Sequence, residues 1–98
     1  MNLNHTVELV VHNPSGLHAR PAALFVQTAA AFRSRITVRN VTRAGQPTDA
    51  KSILGVLALG VASGHRIEIA ADGADADAAL AALVSLVEAG IGEAAEAS

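Results

Sequence analysis

The chain contains no cysteine, tryptophan or tyrosine, and Phe25 and Phe32 are its whole aromatic complement. Without cysteine there is no disulfide framework, no thiolate metal site and no cysteine nucleophile. Two aromatics do not make a platform on which bases stack, so nucleic acid is not an expected partner. Apolar stretches are broken by Gly, Ser or a charged residue well short of the roughly 18 residues that cross a bilayer. The opening Met1-Asn2-Leu3-Asn4-His5 has neither the basic nor the apolar region of a secretory signal. A protein of the cytoplasm that does not enter the membrane is the expectation. At 98 residues and 51% hydrophobic, the chain suits one folded domain with one core.

Basic residues are also missing from the last third. All seven (Arg20, Arg33, Arg35, Arg39, Arg43, Lys51 and Arg66) lie in 20–66, where Asp49 is the only acid, whereas 67–98 carry seven acids and no base. Such a chain either presents a positive field to a phosphate or an acidic partner, or mixes its two halves over one surface on folding.

His5 to His12 alternates, with Val7, Leu9 and Val11 on one face, as a half-buried strand does. Asn13-Pro14-Ser15-Gly16 breaks it, each residue being a turn former. From Ala19 to about Phe32, a stripe of Leu24, Phe25, Thr28, Ala29 and Phe32 predicts an amphipathic helix. Arg35–Arg39 alternates again with Ile36 and Val38 inward, and Pro47 points to an edge position for a short extended piece near Thr48. Ser52 to about Leu59 reads as a short helix, and Arg66–Ala70 as another strand. A last helix is expected after a cap at Asp75, with Ala76, Leu80, Leu83, Val84 and Val87 inward and an end at Gly90. The order β-α-β-β-α-β-α predicts an α+β sandwich of one sheet covered on one face by helices. From Glu93 onward nothing patterned remains to pack, so the domain is placed at 1–93 and a tail or linker at 94–98.

Chemistry concentrates in Asn13-Pro14-Ser15-Gly16-Leu17-His18-Ala19-Arg20-Pro21, where a histidine and an arginine stand at the join of turn and helix. Pro21 fits the first helical turn, where its missing N–H has no intrahelical use, so the helix starts at or just after His18. The N–H groups of Ala19 and Arg20 are then left at the positive end of the helix dipole, which attracts phosphate. Arg20 adds charge-assisted bonds to phosphate oxygens. A lone loop histidine is more often a solvated neighbour of a cap; the turn, His, Arg and Pro together set this one apart.

A second segment, Asp49-Ala50-Lys51-Ser52-Ile53-Leu54-Gly55-Val56-Leu57, places apolar residues on more than one face of a two-turn helix, so some are expected to face a partner. Ser52 reads as its cap and as a residue whose phosphorylation would add charge to that surface. The four histidines lack metal-ligand spacing, Asp72, Asp75 and Asp77 have their glycine misplaced and lack the bidentate glutamate of a calcium loop, and no Walker loop is present. No metal or cofactor is expected.

At Gly16-Leu-His-Ala-Arg-Pro-Ala22 and Asp49-Ala-Lys-Ser-Ile-Leu-Gly55 the chain resembles the histidine-containing phosphocarrier family, HPr, of the bacterial phosphoenolpyruvate-dependent sugar phosphotransferase system, over roughly residues 5–93. The resemblance implies an open-faced β-sandwich with a four-stranded antiparallel sheet and three helices on one side. It implies a monomer that acts as a phosphoryl-transfer intermediate instead of an independent catalyst. Phosphorylation of His18 on Nδ1 by enzyme I and transfer onward to an enzyme IIA are implied with it. Arg20 would contact the phosphoryl group, Ile53, Leu54 and Leu57 would form the docking patch, and Ser52 matches a serine modified in many relatives by HPr kinase/phosphorylase. Gln27 and Ala30 replace lysines that some relatives carry on the first helix, which shifts part of the enzyme I contact onto Arg33 or Arg35. The long 41–47 connection, Gly64-His65 and the Ala/Glu tail resemble carrier domains fused to enzyme I or IIA in multiphosphoryl transfer proteins. A regulatory binding module switched at Ser52, or a small-ligand domain on an α+β scaffold, are the other classes open to such a chain; for the last the sequence offers no polar pocket.

Overall fold

The computed structural model describes residues 5–93. Its elements are β1 (His5–Val10), α1 (Ala19–Ala30), β2 (Arg35–Asn40), β3 (Thr48–Asp49), α2 (Ile53–Ala58), β4 (Arg66–Asp72) and α3 (Ala76–Glu88). The four strands form one sheet in the order β1-β4-β2-β3, with every pairing antiparallel. The expected α+β architecture, β-α-β-β-α-β-α with a four-stranded antiparallel sheet and three helices, is the one found.

Register explains which residues enter the core. Val7 stands opposite Ile69, which stands opposite Val38, and the neighbouring row runs Leu9, Ile67, Asn40. Period-two alternation sends these rows toward the helices and the intervening ones to the open face. On that open face Glu8, Glu68 and Arg39 align, and Arg39 Nε donates to Glu68 Oε1 at 2.8 Å, offsetting two carboxylates on adjacent strands. Arg35 likewise stands opposite Asp72. Strand β4, most of it from the acidic last third, is therefore paired along one edge with the basic strand β2, and mixing of the two halves, the second of the two outcomes considered, is what the sheet produces.

β3 is only two residues long and lies at the edge, as Pro47 required. The helices pack through small residues: α1 buries Pro21, Ala22, Phe25 and Ala29, and α3 buries Ala76, Ala79, Leu83 and Val87. Alanines let the backbones approach the sheet closely, and Phe25 fills the remaining volume as the largest fully buried side chain. Of the two expected stripes, Phe25 and Ala29 of α1 and Ala76, Leu83 and Val87 of α3 are buried, and the other members are only partly so. Leu24 is half-buried while Ala22 is fully buried, and Leu80 and Val84 only flank the α3 stripe. α1 also ends at Ala30, with Phe32 half-buried beyond it.

Asp75 occupies the cap position of α3, but its side chain makes no cap hydrogen bond. The carboxylate turns instead to the α1–β2 connection, accepting from the backbone N–H groups of Arg33 and Ser34, each at 2.9 Å, and from the Ser34 hydroxyl. These bonds hold its carboxyl below the ordinary carboxylate value, the Ser34 hydroxyl contributing most.

Candidate functional site

Between β1 and α1 the chain turns sharply. Gly16 N–H donates to the Asn13 carbonyl at 3.1 Å, and Asn13 Nδ2 returns a bond to the Gly16 carbonyl at 2.9 Å. Gly16 has φ +60°, and a Cβ there would lie 2.3 Å from the Val61 carbonyl oxygen, so only glycine fits. The next residue, Leu17, is fully buried and donates its N–H to that same carbonyl at 3.0 Å. One residue further, the chain emerges with His18 exposed.

His18 is the N-cap of α1, with an extended backbone (φ −130°, ψ 161°) and no side-chain capping bond. Its carbonyl accepts from Ala22 N–H at 3.4 Å, which starts the helix. Ala19 has φ +51°, a left-handed conformation that costs a non-glycine residue about 1–2 kcal/mol. Among the described residues the N–H groups of Ala19 and Arg20 have no acceptor, and Pro21 has no N–H to offer. Arg20 is exposed and forms no ion pair within the described residues. Imidazole, two vacant amides and a guanidinium therefore lie within three consecutive residues at the positive end of a 12-residue helix. Three hollows of the described surface, lined around Arg35, Gln46 and Asn13, take in neither His18 nor Arg20. An open site of this kind suits a group delivered by a macromolecule better than an enclosed small substrate.

Beside α1 packs α2. Ser52 caps it as expected, its Oγ accepting from Gly55 N–H at 3.0 Å. A Cβ at Gly55 would stand 2.3 Å from Thr48 Oγ1, so a larger residue there requires the Thr48 side chain to turn away. Of the α2 residues Val56 alone is buried; Ile53, Leu54 and Leu57 expose 40%, 76% and 36% of their surface, an apolar patch that no other element among the described residues covers. Lys51 Nζ donates to the Phe32 carbonyl at 2.7 Å, binding α2's approach to the far end of α1. No cluster of three or more metal-ligating side chains exists among the described residues, and no helix there is long and apolar enough to cross a membrane.

Glu93, which the pattern had assigned to the unpatterned end, is instead tied to the turn before His18. Its Oε1 accepts from Ser15 N–H at 2.9 Å and Asn13 Nδ2 at 3.0 Å, and its Oε2 from Ser15 Oγ at 2.7 Å. Nothing in local periodicity could have indicated a contact across 78 residues; the tail from 94 onward lies outside the described residues.

A small α+β domain that carries a solitary histidine at the mouth of a helix, with an apolar helix beside it, is the class that fold and site define. The family model for the "PTS HPr component phosphorylation site" matches residues 5–89. The chain is 47% identical over 88 residues to a multiphosphoryl transfer protein of Escherichia coli O157:H7, covering 90% of this chain and 23% of that protein. It is 46% identical over 89 residues to that of Vibrio cholerae, covering 91% and 22%. The chain thus spans less than a quarter of the length of these curated relatives. Among solved structures, HPr-C-His from Thermoanaerobacter tengcongensis superposes with a TM-score of 0.85 at 45% identity, covering 91% of this chain and 97% of that one. The phosphocarrier protein HPr from Bacillus anthracis gives 0.82 at 40% identity, covering 88% and 99%. The chain belongs to the HPr family, the phosphocarrier component of the phosphotransferase system.

Proposed function

We propose that His18 is the phosphoryl acceptor. Its Nδ1 attacks phosphorus on phosphorylated enzyme I, the bond from phosphorus to the donor breaks as the N–P bond forms, and the same group later leaves to an enzyme IIA. The donor draws its phosphoryl group from phosphoenolpyruvate, and the exchange takes place in the cytoplasm with this chain acting as a monomer. The vacant amides of Ala19 and Arg20 and the Arg20 guanidinium hold the phosphoryl oxygens. Helix-terminal stabilisation of this sort contributes roughly 0.3–2 kcal/mol, enough to hold the group without trapping it. Ile53, Leu54 and Leu57 dock both partners, with Arg33 or Arg35 supplementing the enzyme I contact. Residues 1–93 form the carrier unit and 94–98 a tail or linker.

The observation that supports this most is an exposed imidazole at the N-cap followed by two amides without acceptors. Incubation with enzyme I and phosphoenolpyruvate is expected to add one acid-labile phosphoryl group, and His18→Ala to abolish it. A stable group on another residue refutes the assignment.

Ser52 supports a second, compatible role. Phosphorylation there by a kinase of the HPr kinase/phosphorylase type places a dianion at the edge of the apolar patch. Ser52→Asp is then expected to slow acceptance from enzyme I; an unchanged rate with an unaltered partner set removes the regulatory reading.

A further inference from the structure

Glu93 lies far from His18 in sequence and belongs to neither motif, yet it receives three hydrogen bonds from the turn that delivers His18 to the surface. The carboxylate is itself firmly placed. Ile91, two residues earlier, is fully buried and donates its N–H to the Leu86 carbonyl at 2.9 Å, and Glu93 N–H closes a turn onto the Gly90 carbonyl at 2.9 Å. The Asn13–Gly16 turn is thus held from two sides. The Val61 carbonyl fixes Leu17 from within, and Glu93 fixes Asn13 and Ser15 from the segment that follows α3. Between those two anchors and Pro21 stand only His18, the strained Ala19 and Arg20. A left-handed alanine persists only where its surroundings overdetermine it.

We infer that Glu93 is a positioning residue for phosphoryl acceptance: by clamping Asn13 and Ser15 it holds His18 and the two vacant amides in the receiving geometry. The inference rests on the phosphocarrier role of His18 and names a residue that acts on it through the turn, without touching the phosphoryl group. The three donors that hold Glu93's carboxyl below its ordinary value, the Ser15 hydroxyl foremost, keep it ionised and able to accept all of them throughout the neutral range.

Steady-state acceptance from enzyme I separates the possibilities, measured for the wild type and for the Glu93→Ala, Glu93→Gln and Ser15→Ala variants, with amide NMR spectra of each unphosphorylated protein. Glu93→Ala is expected to lower kcat about three- to tenfold with KM for enzyme I unchanged, since the α2 patch is untouched. Its amide shifts should move at residues 13–20 and not along α2. Glu93→Gln keeps an acceptor for Ser15 N–H and Asn13 and can donate to Ser15 Oγ, so it should restore most of the rate. Combining Ser15→Ala with Glu93→Ala should cost less than the sum of the two alone. An unchanged kcat in Glu93→Ala overturns the inference. So does a loss that Glu93→Gln fails to rescue, or one accompanied by shift changes spread over the whole domain. A wild-type protein that takes up no phosphoryl group overturns the proposed function itself, which a defect confined to the Glu93 variants does not.

Discussion

At the scale of single residues, the site depends on two backbone conformations on either side of Leu17 and His18. Gly16 cannot carry a side chain, because both its φ of +60° and the 2.3 Å approach to the Val61 carbonyl forbid one. Gly16→Ala is expected to lower unfolding free energy by about 2 kcal/mol or more, read from urea denaturation. Ala19 is the converse case. Its φ of +51° suits glycine better than alanine, so Ala19→Gly should leave stability equal or higher by up to about 1 kcal/mol, the relief of strain partly offset by the freer unfolded chain. A clear destabilisation in the same titration would mean that the strain is not present. The sequence made Gly16, His18, Arg20 and Pro21 visible because turn chemistry and helix starts are local properties. Asn13, Ser15 and Glu93 act through a contact 78 residues apart, for which no local pattern exists. Asp75 stands at the cap position of α3 that the pattern indicates, but its carboxylate does not cap the helix, since the donors that claim it are Arg33 and Ser34 of the α1–β2 connection.

At the scale of elements, α2 separates stability from recognition along six residues. Leu54, 76% exposed, contributes little to the core. Leu54→Ser should therefore change unfolding free energy by no more than about 0.5 kcal/mol while raising KM for enzyme I, whereas substituting the cap, Ser52→Ala, should cost about 1 kcal/mol of stability. Calorimetry and transfer kinetics on the pair test that separation; a large loss of stability in Leu54→Ser contradicts it. Exposure of this helix could be anticipated from its composition, because two turns cannot bury four large apolar residues against one sheet. The core stripes of α1 and α3 are legible through Phe25, Ala29, Ala76, Leu83 and Val87, all buried, but not in every member. Alanine scores weakly as a hydrophobe, so Ala22 and Ala79, both fully buried, were overlooked in favour of the larger Leu24 and Leu80.

For the whole molecule, two carboxylates fasten remote parts of the chain: Asp75 joins α3 to the α1–β2 connection, and Glu93 joins the segment after α3 to the β1–α1 turn. Hydrogen bonds hold both below their ordinary values of 3.8 and 4.5. A folded-state value below the unfolded one means a contribution fully present above the ordinary value and lost as pH falls through the depressed one. Acid unfolding should consequently begin as pH drops below the mid-fours and become shallower in an Asp75→Asn, Glu93→Gln double variant, followed by circular dichroism. An acid limb identical in the two proteins would remove these carboxylates from the explanation. Fold class followed from the order of elements, but strand order did not. The insertion of β4 between β1 and β2, which also sets acidic and basic stretches side by side, is a long-range choice that pairs Ile69 with Val7 and Val38 and Ile67 with Leu9 and Asn40. The account as a whole stands on the receiving atom of one exposed side chain. Long-range ¹H–¹⁵N NMR of the imidazoles, before and after incubation with enzyme I and phosphoenolpyruvate, reads that atom directly. The expected result is a change at Nδ1 of His18, with the spectra of His5, His12 and His65 unaltered; a phosphoryl group on any other ring, or on none, contradicts it.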